Sequence, residues 1–134
     1  MILCLDTNIV VFCLRGRSAQ AVQRLLAVPA ADVLVPLQVH AELLVGAAKS
    51  ADPTRSSAIV LAFLAPFRIA WPTSRVEDEY VQIRCALEKR GMAISEADLW
   101  IAATVRSEGA TLITNNTSEF SRVANLTIAD WTAP

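Results

Sequence analysis

The chain has 134 residues, of which 54% are hydrophobic and 19% are charged, and its formal net charge is −1. This length fits one domain with one hydrophobic core, and the composition excludes an intrinsically disordered protein. No apolar run reaches the roughly 18 residues of a membrane-spanning helix, and the slight negative charge argues mildly against a general nucleic-acid-binding protein. We therefore expect a single domain over residues 1–134, without a signal peptide or a membrane segment.

The first eight residues predict a strand that ends in a carboxylate. Ile2 to Leu5 form an apolar run, which is typical of a buried strand in a parallel sheet. Asp6 follows directly, and Thr7 and Asn8 are residue types that cap helices. In open α/β sheets, ligands bind at the carboxyl ends of the strands. Asp6 is therefore a candidate site residue, although a role as helix cap explains this residue equally well by itself.

Strands and helices are predicted to alternate along the rest of the chain. Short apolar runs predict strands at 33–35, 67–70, 110–114 and 126–128. Apolar residues at helical spacing predict helices between these strands, with Ser18 and Ser95 as helix caps and Gly91 as a helix end. The alternation favours an α/β fold with a central parallel sheet flanked by helices on both faces.

Two more acids lie in predicted helices. Glu42 falls inside a helix over residues 37–49, where a solvated surface position is the simpler interpretation of this residue alone. The inner stripe of that helix is predicted to consist of Leu37, Ala41, Leu44 and Ala48. Asp98 follows Ser95 in a pattern similar to a capping box, and it shares the apolar face of its helix with Ile101. Taken singly, neither acid identifies a site.

Asp6, Glu42 and Asp98 are more informative as a set. Carboxylates that come together without a cation repel one another, and at least one of them takes up a proton. Clusters of oxygen ligands suit Mg²⁺ or Mn²⁺, which need few protein ligands because they keep bound waters. If the fold brings the three acids to one edge of the sheet, the sequence predicts a divalent-cation site there.

The other reactive side chains indicate less. The three cysteines, Cys4, Cys13 and Cys85, are odd in number and lack CxxC spacing, so we expect buried free thiols in a reducing cytoplasm. The single histidine, His40, is expected to have a structural or surface role, and the sequence has no glycine-rich phosphate loop. A cysteine–histidine nucleophile therefore has no support.

The acids lie within four short motifs. These are Leu5-Asp6-Thr7-Asn8, Ala41-Glu42-Leu43 with Gly46, Asp98 with Ile101-Ala102-Ala103, and Ile113-Thr114-Asn115-Asn116 with Glu119-Phe120. In this order the motifs resemble the PIN-domain ribonucleases. The tail from Thr114 to Val123, followed by Asp130-Trp131, is especially similar to the VapC toxins of bacterial toxin–antitoxin pairs. Each motif is weak alone, but the set spans essentially the whole chain and is fairly specific.

The resemblance implies that the acids gather at the carboxyl edge of a parallel sheet and hold Mg²⁺ or Mn²⁺. Asp6, Glu42 and Asp98 match the first three acids of the family. Many PIN domains have an aspartate where Asn116 stands here, so Asn116 offers a neutral oxygen and Glu119 is the candidate for the missing carboxylate. The expected supporting residues are Thr7, Asn8 and Asn115.

The activity implied by the resemblance is metal-dependent hydrolysis of RNA phosphodiesters by an activated water, which leaves a 5′-phosphate and a 3′-hydroxyl. Asp98 is a candidate to accept the proton of that water. The expected substrate is transfer RNA, since VapC-like enzymes often cut it in the anticodon region. The resemblance also implies a VapB-like antitoxin whose tail crosses the active-site groove, and it implies a homodimer.

Two departures from the family pattern leave other functions open. Because Asn116 replaces an acid, a non-catalytic PIN-like binding module is an alternative. Ser95-Glu96-Ala97 stands where relatives often carry a glycine and a proline, and we expect Glu96 to be exposed. A small α/β phosphatase or a DNA nuclease that uses the same acids is a third and weaker interpretation.

Overall fold

The computed structural model describes residues 1–134 and contains a five-stranded parallel sheet accompanied by seven α-helices. The strands are β1 (Leu3–Leu5), β2 (Val33–Pro36), β3 (Arg68–Ala70), β4 (Thr111–Ile113) and β5 (Thr127–Ala129). The helices are α1 (Thr7–Leu14), α2 (Ala19–Leu26), α3 (Leu37–Ala48), α4 (Pro53–Leu64), α5 (Ser74–Lys89), α6 (Glu96–Glu108) and α7 (Thr117–Phe120). The predicted α/β class with a parallel sheet is confirmed.

The strand order β3-β2-β1-β4-β5 places β1 at the centre of the sheet. All three β1 residues are buried, as expected for a strand that is paired on both sides and covered on both faces. The order reverses at β1, which has β2 on one side and β4 on the other. Such a reversal opens a crevice at the carboxyl ends of the two central strands, and Asp6 lies there.

Short polar side chains begin most of the helices. The Ser18 and Ser95 side chains accept hydrogen bonds from backbone N–H groups in the first turns of α2 and α6, as predicted. Asp6 does the same for α1, so its interpretation as a helix cap is confirmed beside its position at the crevice. Gly91 follows the end of α5 with a φ of 65°, a left-handed conformation that favours glycine.

The predicted inner stripe of α3 was wrong. The buried residues are Val39, Leu43 and Ala47, whereas Ala41 and Ala48 are exposed and Leu37 and Leu44 are half-buried. Because α3 is apolar on most of its circumference, more than one set of positions satisfies helical spacing, and the spacing alone does not select among them. The actual stripe faces the sheet, and a second apolar side remains at the surface.

The cysteines are all free, as predicted, but their burial differs. Cys4 is buried in β1, Cys13 is half-buried, and Cys85 is exposed on α5. Burial of Cys85 was therefore a wrong prediction, because the α5 core stripe runs through Ile83 and Leu87 and leaves position 85 on the outer side. No helix in the structure has the combined length and apolarity needed to cross a bilayer.

Candidate active site

Asp6 is the most buried acid of the crevice, with 5% of its surface exposed. Its Oδ1 accepts a hydrogen bond of 3.0 Å from the Ile9 backbone N–H, and its Oδ2 accepts one from the Thr114 hydroxyl. Burial raises the pKa of the Asp6 carboxyl and the charge of Glu42 adds to this effect, whereas the bonds from Thr114 and Ile9 oppose it. The side chain is therefore held rigidly, and its negative charge is poorly solvated.

Glu42 projects from α3 toward the same crevice. Its Oε2 accepts a hydrogen bond of 2.8 Å from the Thr7 hydroxyl, which links the start of α1 to the middle of α3. Thr7 follows Asp6 directly, so this bond places the second carboxylate beside the first. The expected supporting position of Thr7 agrees with this contact, although Glu42 itself is largely exposed.

Asp98 lies in the first turn of α6 and is half-buried. Its backbone N–H donates to the Ser95 hydroxyl at 3.2 Å, which fixes the start of the helix. Burial, the adjacent Glu119 carboxyl and the charge of Asp6 raise the pKa of Asp98 to about 6, although the Ser95 hydroxyl acts in the opposite direction. Asp98 and Glu119 are thus a close pair of carboxyl groups that shares the electrostatic field of Asp6.

One cavity of about 80 Å³ joins most of the predicted site. Its lining consists of Asp6, Thr7, Asn8, Glu42, Asp98, Ile101 and Asn116. Glu119 does not line the cavity, but its carboxyl group lies next to that of Asp98, which does. Asn115 follows β4 at the same edge of the sheet and does not line the cavity. The structure therefore brings together the three expected acids and Asn116, with the Glu119 carboxyl adjacent to that of Asp98.

No lysine or arginine neutralises these acids. The salt bridges of the structure pair Arg84 with Glu88 and Glu96, and Arg106 with Glu79. Asp6, Glu42, Asp98 and Glu119 take part in none of them. No lysine or arginine of the chain is therefore within salt-bridge distance of the acids of the cavity, although Arg15 lines the adjoining groove together with Glu42.

The donor set fits a hard divalent cation by its chemistry. Carboxylate, amide and hydroxyl oxygens line one small cavity, and Mg²⁺ is typically held by one or two carboxylates together with several waters. The structure contains no group of three Asp, Glu, His or Cys side chains that is arranged to hold one ion. A cation would thus depend on waters for much of its coordination, with the acids as its charged ligands.

Thr114 belongs to the site and was not assigned a role from the sequence. It is fully buried, donates to Asp6 and accepts a hydrogen bond of 2.9 Å from the Asn116 backbone N–H. The β1–β4 register pairs Leu5 with Ile113, which places Thr114 beside Asp6. A polar residue at the end of the apolar strand β4 was the signal that could have identified it.

Glu96 is exposed, as predicted, and does not belong to the acidic cavity. Its carboxylate accepts a hydrogen bond from the Tyr80 hydroxyl and lies 3.5 Å from the Arg84 guanidinium. Tyr80 in turn stacks on Trp100, with ring centroids 4.0 Å apart. Glu96 therefore joins α5 to α6 on the outer surface.

Comparison with known proteins identifies the family. The PIN domain family model matches residues 3–126. Ribonuclease VapC2 of Haemophilus influenzae is 36% identical over 127 residues, which cover 95% of this chain and 96% of that protein. The tRNA(fMet)-specific endonuclease VapC of Shigella flexneri is 32% identical over 127 residues, with the same coverage of 95% and 96%.

Solved structures agree with the sequence relatives. A chain of the crystal structure of VapBC2 from Rickettsia felis, bound to a DNA fragment from their promoter, matches with a TM-score of 0.91 and 31% identity. The match covers 98% of this chain and 99% of that one. The chain therefore belongs to the PIN-domain family and, within it, to the VapC ribonucleases.

Proposed function

We propose that the chain is a Mg²⁺- or Mn²⁺-dependent endoribonuclease toxin that hydrolyses RNA, with transfer RNA as its substrate. The observation that carries this proposal is the convergence of Asp6, Glu42 and Asp98 on one cavity that has no basic partner. The name of the Shigella flexneri relative, which specifies tRNA(fMet), supports the choice of substrate.

The polar side chains at the cavity hold the cation, orient its ligands or accept a proton in this proposal. When bound, the divalent cation supplies Lewis acidity and positive charge for the attack of water on the phosphodiester. Asp6, Glu42, Asp98 and Asn116 would hold it together with bound waters, since no three of the acids are arranged to bind one ion directly. The Thr7 and Thr114 hydroxyls fix the Glu42 and Asp6 carboxylates. Asp98 is suited to accept the proton of the attacking water, because its carboxyl already has a raised pKa beside Glu119.

Sequencing of RNA ends after brief expression tests this function directly. We expect new 5′-phosphate ends within transfer RNA for the natural chain and none for a variant with Asp6→Asn. Parallel assays on RNA, DNA and a phosphomonoester distinguish a ribonuclease from a DNA nuclease or a phosphatase. A folded protein that cuts none of them in the presence of Mn²⁺ would instead be a PIN-like binding module.

We further propose that a VapB-like antitoxin occupies an apolar groove next to the acids. The groove lies between α1, α3 and α4, has a volume of about 260 Å³, and is lined by apolar side chains that include Val11, Leu43 and Val60. Thr7 and Glu42 line both this groove and the acidic cavity, so the two are continuous. An apolar segment in the groove could therefore extend a basic side chain to the acids.

A homodimer remains a prediction, which light scattering on the purified chain tests.

Two neighbouring residues of α4 provide a matched test of the groove. Ile59 is 48% exposed and lines the groove, whereas Leu61 is 52% exposed and lies outside it. Ile59→Asp should weaken binding of the cognate VapB-like protein by at least ~10-fold, because it removes apolar contact area and adds a charge. Leu61→Asp should leave the affinity unchanged. Isothermal titration on the inactive Asp6→Asn background measures both, and equal losses for the two variants would refute the assignment.

A further inference from the structure

A further cavity, of about 110 Å³, is basic rather than acidic. It lies between the later parts of α5 and α6 and the segment that follows α7. Its floor is apolar and includes Ile83 and Val123. The charged side chains in its lining are all arginines, namely Arg90, Arg106 and Arg122. A small cavity with an apolar floor and several guanidinium groups at its rim is suited to an anion.

The three arginines differ in how their charge is balanced. Arg106 forms a salt bridge of 2.8 Å with Glu79, which neutralises it. Arg90 and Arg122 have no carboxylate partner. The Arg90 Nη2 donates to the Arg122 backbone carbonyl, and the Arg122 Nη1 donates to the Ala93 carbonyl at 3.2 Å. These carbonyl oxygens orient the two guanidinium groups without cancelling their charge.

Most donors of both guanidinium groups remain free. A guanidinium carries five N–H donors in a fixed planar fork, which matches the oxygens of a phosphate. Arg90 and Arg122 each use one of their donors in the bonds to backbone carbonyls. Two oriented positive charges with spare donors are therefore available to a ligand.

The arginine pair lies next to the acidic site. The Arg122 backbone N–H donates to the Glu119 carbonyl at 3.1 Å, and Glu119 contacts Asp98. Ala93, which holds the Arg122 guanidinium, precedes Asp98 by five residues, a length of chain that spans at most ~18 Å. At a rise of ~3.4 Å per stacked nucleotide, the backbones of Ala93 and Asp98 are therefore separated by at most about five nucleotides. The pair is thus on the Asp98–Glu119 side, whereas the apolar groove opens on the Thr7–Glu42 side.

We propose that Arg90 and Arg122 bind backbone phosphates of the RNA strand a few nucleotides away from the cleaved bond. This inference rests on the proposed ribonuclease function and adds to it the position of a substrate contact. The acidic cavity has no basic side chain in its lining, and the chain as a whole carries a net charge of −1. Local positive charge beside the site is therefore needed to hold RNA, and these two arginines supply it.

RNA binding by charge-altered variants tests the proposal. All proteins carry Asp6→Asn, so that a short fluorescein-labelled single-stranded RNA is bound without being cut, and anisotropy is measured over a range of KCl concentrations. Adding Arg90→Gln and Arg122→Gln should weaken binding at least ~10-fold through the loss of charge-assisted hydrogen bonds. The dependence of log affinity on log salt concentration should become shallower by about 1.4, since each lost phosphate contact on a single strand contributes about 0.7.

Arg75 provides the matched control. It is exposed in the first turn of the same helix, α5, and lies ~22 Å from Arg90 along the helix axis at a rise of ~1.5 Å per residue. Arg75→Gln removes one positive charge, as each of the two test substitutions does, and should change neither the affinity nor the salt dependence. Arg90→Lys with Arg122→Lys retains both charges and should keep the parental salt dependence. Thermal melts verify that each variant is folded.

The possible results distinguish a wrong phosphate site from a wrong enzymatic function. If the natural chain cuts no RNA in the assays described above, the ribonuclease function itself is contradicted. If the natural chain cuts RNA but the parent binds none, the phosphate site is wrong. If the parent binds RNA and the double glutamine variant binds it equally well with the same salt dependence, the phosphate site is wrong and the function stands. A double variant that keeps RNA binding but loses affinity for a polyglutamate peptide would also overturn the proposal, since the pair would then serve an acidic protein segment.

Discussion

Replacing Asp6 by asparagine should lower the rate of RNA cleavage by at least ~10²-fold, which corresponds to about 2.7 kcal/mol of transition-state stabilisation. Asp6 is the buried acid around which the site is built, between Glu42 and Asp98. Asparagine has nearly the same shape and can still accept the hydrogen bond from the Ile9 N–H that caps α1. The substitution therefore removes the charge and preserves the fold. Single-turnover cleavage in the presence of Mn²⁺ measures the loss.

The matched control for this variant is Asp78→Asn. Asp78 is an exposed acid on the surface of α5, so the variant has the same change in net charge at a position remote from the cavity. It should cleave RNA at the natural rate and have the same melting temperature. Cleavage by Asp6→Asn at the rate of Asp78→Asn would contradict the assignment of the active site.

Phe120→Ala should destabilise the protein by about 3–5 kcal/mol, the usual cost of truncating a fully buried phenylalanine. Phe120 is 1% exposed and fastens the single turn of α7 to the core. The residue before it is Glu119, which contacts Asp98. The same substitution should therefore also loosen the Glu119–Asp98 pair and reduce cleavage at temperatures where the variant is still folded. Urea denaturation gives the stability, and cleavage at low temperature gives the activity.

Phe67→Ala makes the same truncation at a half-buried position. Phe67 packs edge-to-face against Phe63, with ring centroids 5.8 Å apart. It directly precedes β3, which is the edge strand opposite β5, whereas α7 lies between β4 and β5 in the chain. Its loss of stability should be clearly smaller, and its activity should be unchanged at low temperature. Equal destabilisation by the two variants would show that Phe120 does not anchor α7 as described.

The parts of the fold that the sequence predicted are those governed by local patterns. A short apolar run followed at once by a carboxylate identified β1 and Asp6, and alternating strands and helices predicted the parallel sheet. The motif resemblance to PIN domains is confirmed by the family match over residues 3–126. Ser18 and Ser95 were found as caps because side-chain capping depends on the few residues that follow.

The features that sequence reasoning missed depend on contacts between distant segments. The inner stripe of α3 was misplaced because several apolar stripes of this helix are compatible with burial, and only packing against the sheet selects Val39, Leu43 and Ala47. Thr114 and Asp6 are 108 positions apart in the sequence. They meet because β1 pairs with β4, and the composition of the two strands does not predict the register of that pairing. Cys85 is likewise exposed because α5 packs on the core through the face that carries Ile83 and Leu87.

The acidic site combines both kinds of information. Its members and their gathering at the carboxyl edge of the sheet were predicted from the motifs. That Asn116 lines the cavity, while Glu119 lies outside it and next to Asp98, required the fold. The absence of a basic partner for these acids also emerges only from the structure. This uncompensated charge is the reason to expect that a divalent cation binds there.

Calorimetric titration of the purified chain with Mn²⁺ tests that expectation most directly, because it requires neither RNA nor an antitoxin. The natural chain and the Asp78→Asn control should bind Mn²⁺ equally well. Asp6→Asn and Asp98→Asn should each bind it more than ~10-fold more weakly. Replacing a residue that only supports a metal ligand already lowers metal affinity by at least ~10-fold. A natural chain that takes up no Mn²⁺, or variants that bind it as tightly as the natural chain, would contradict the account.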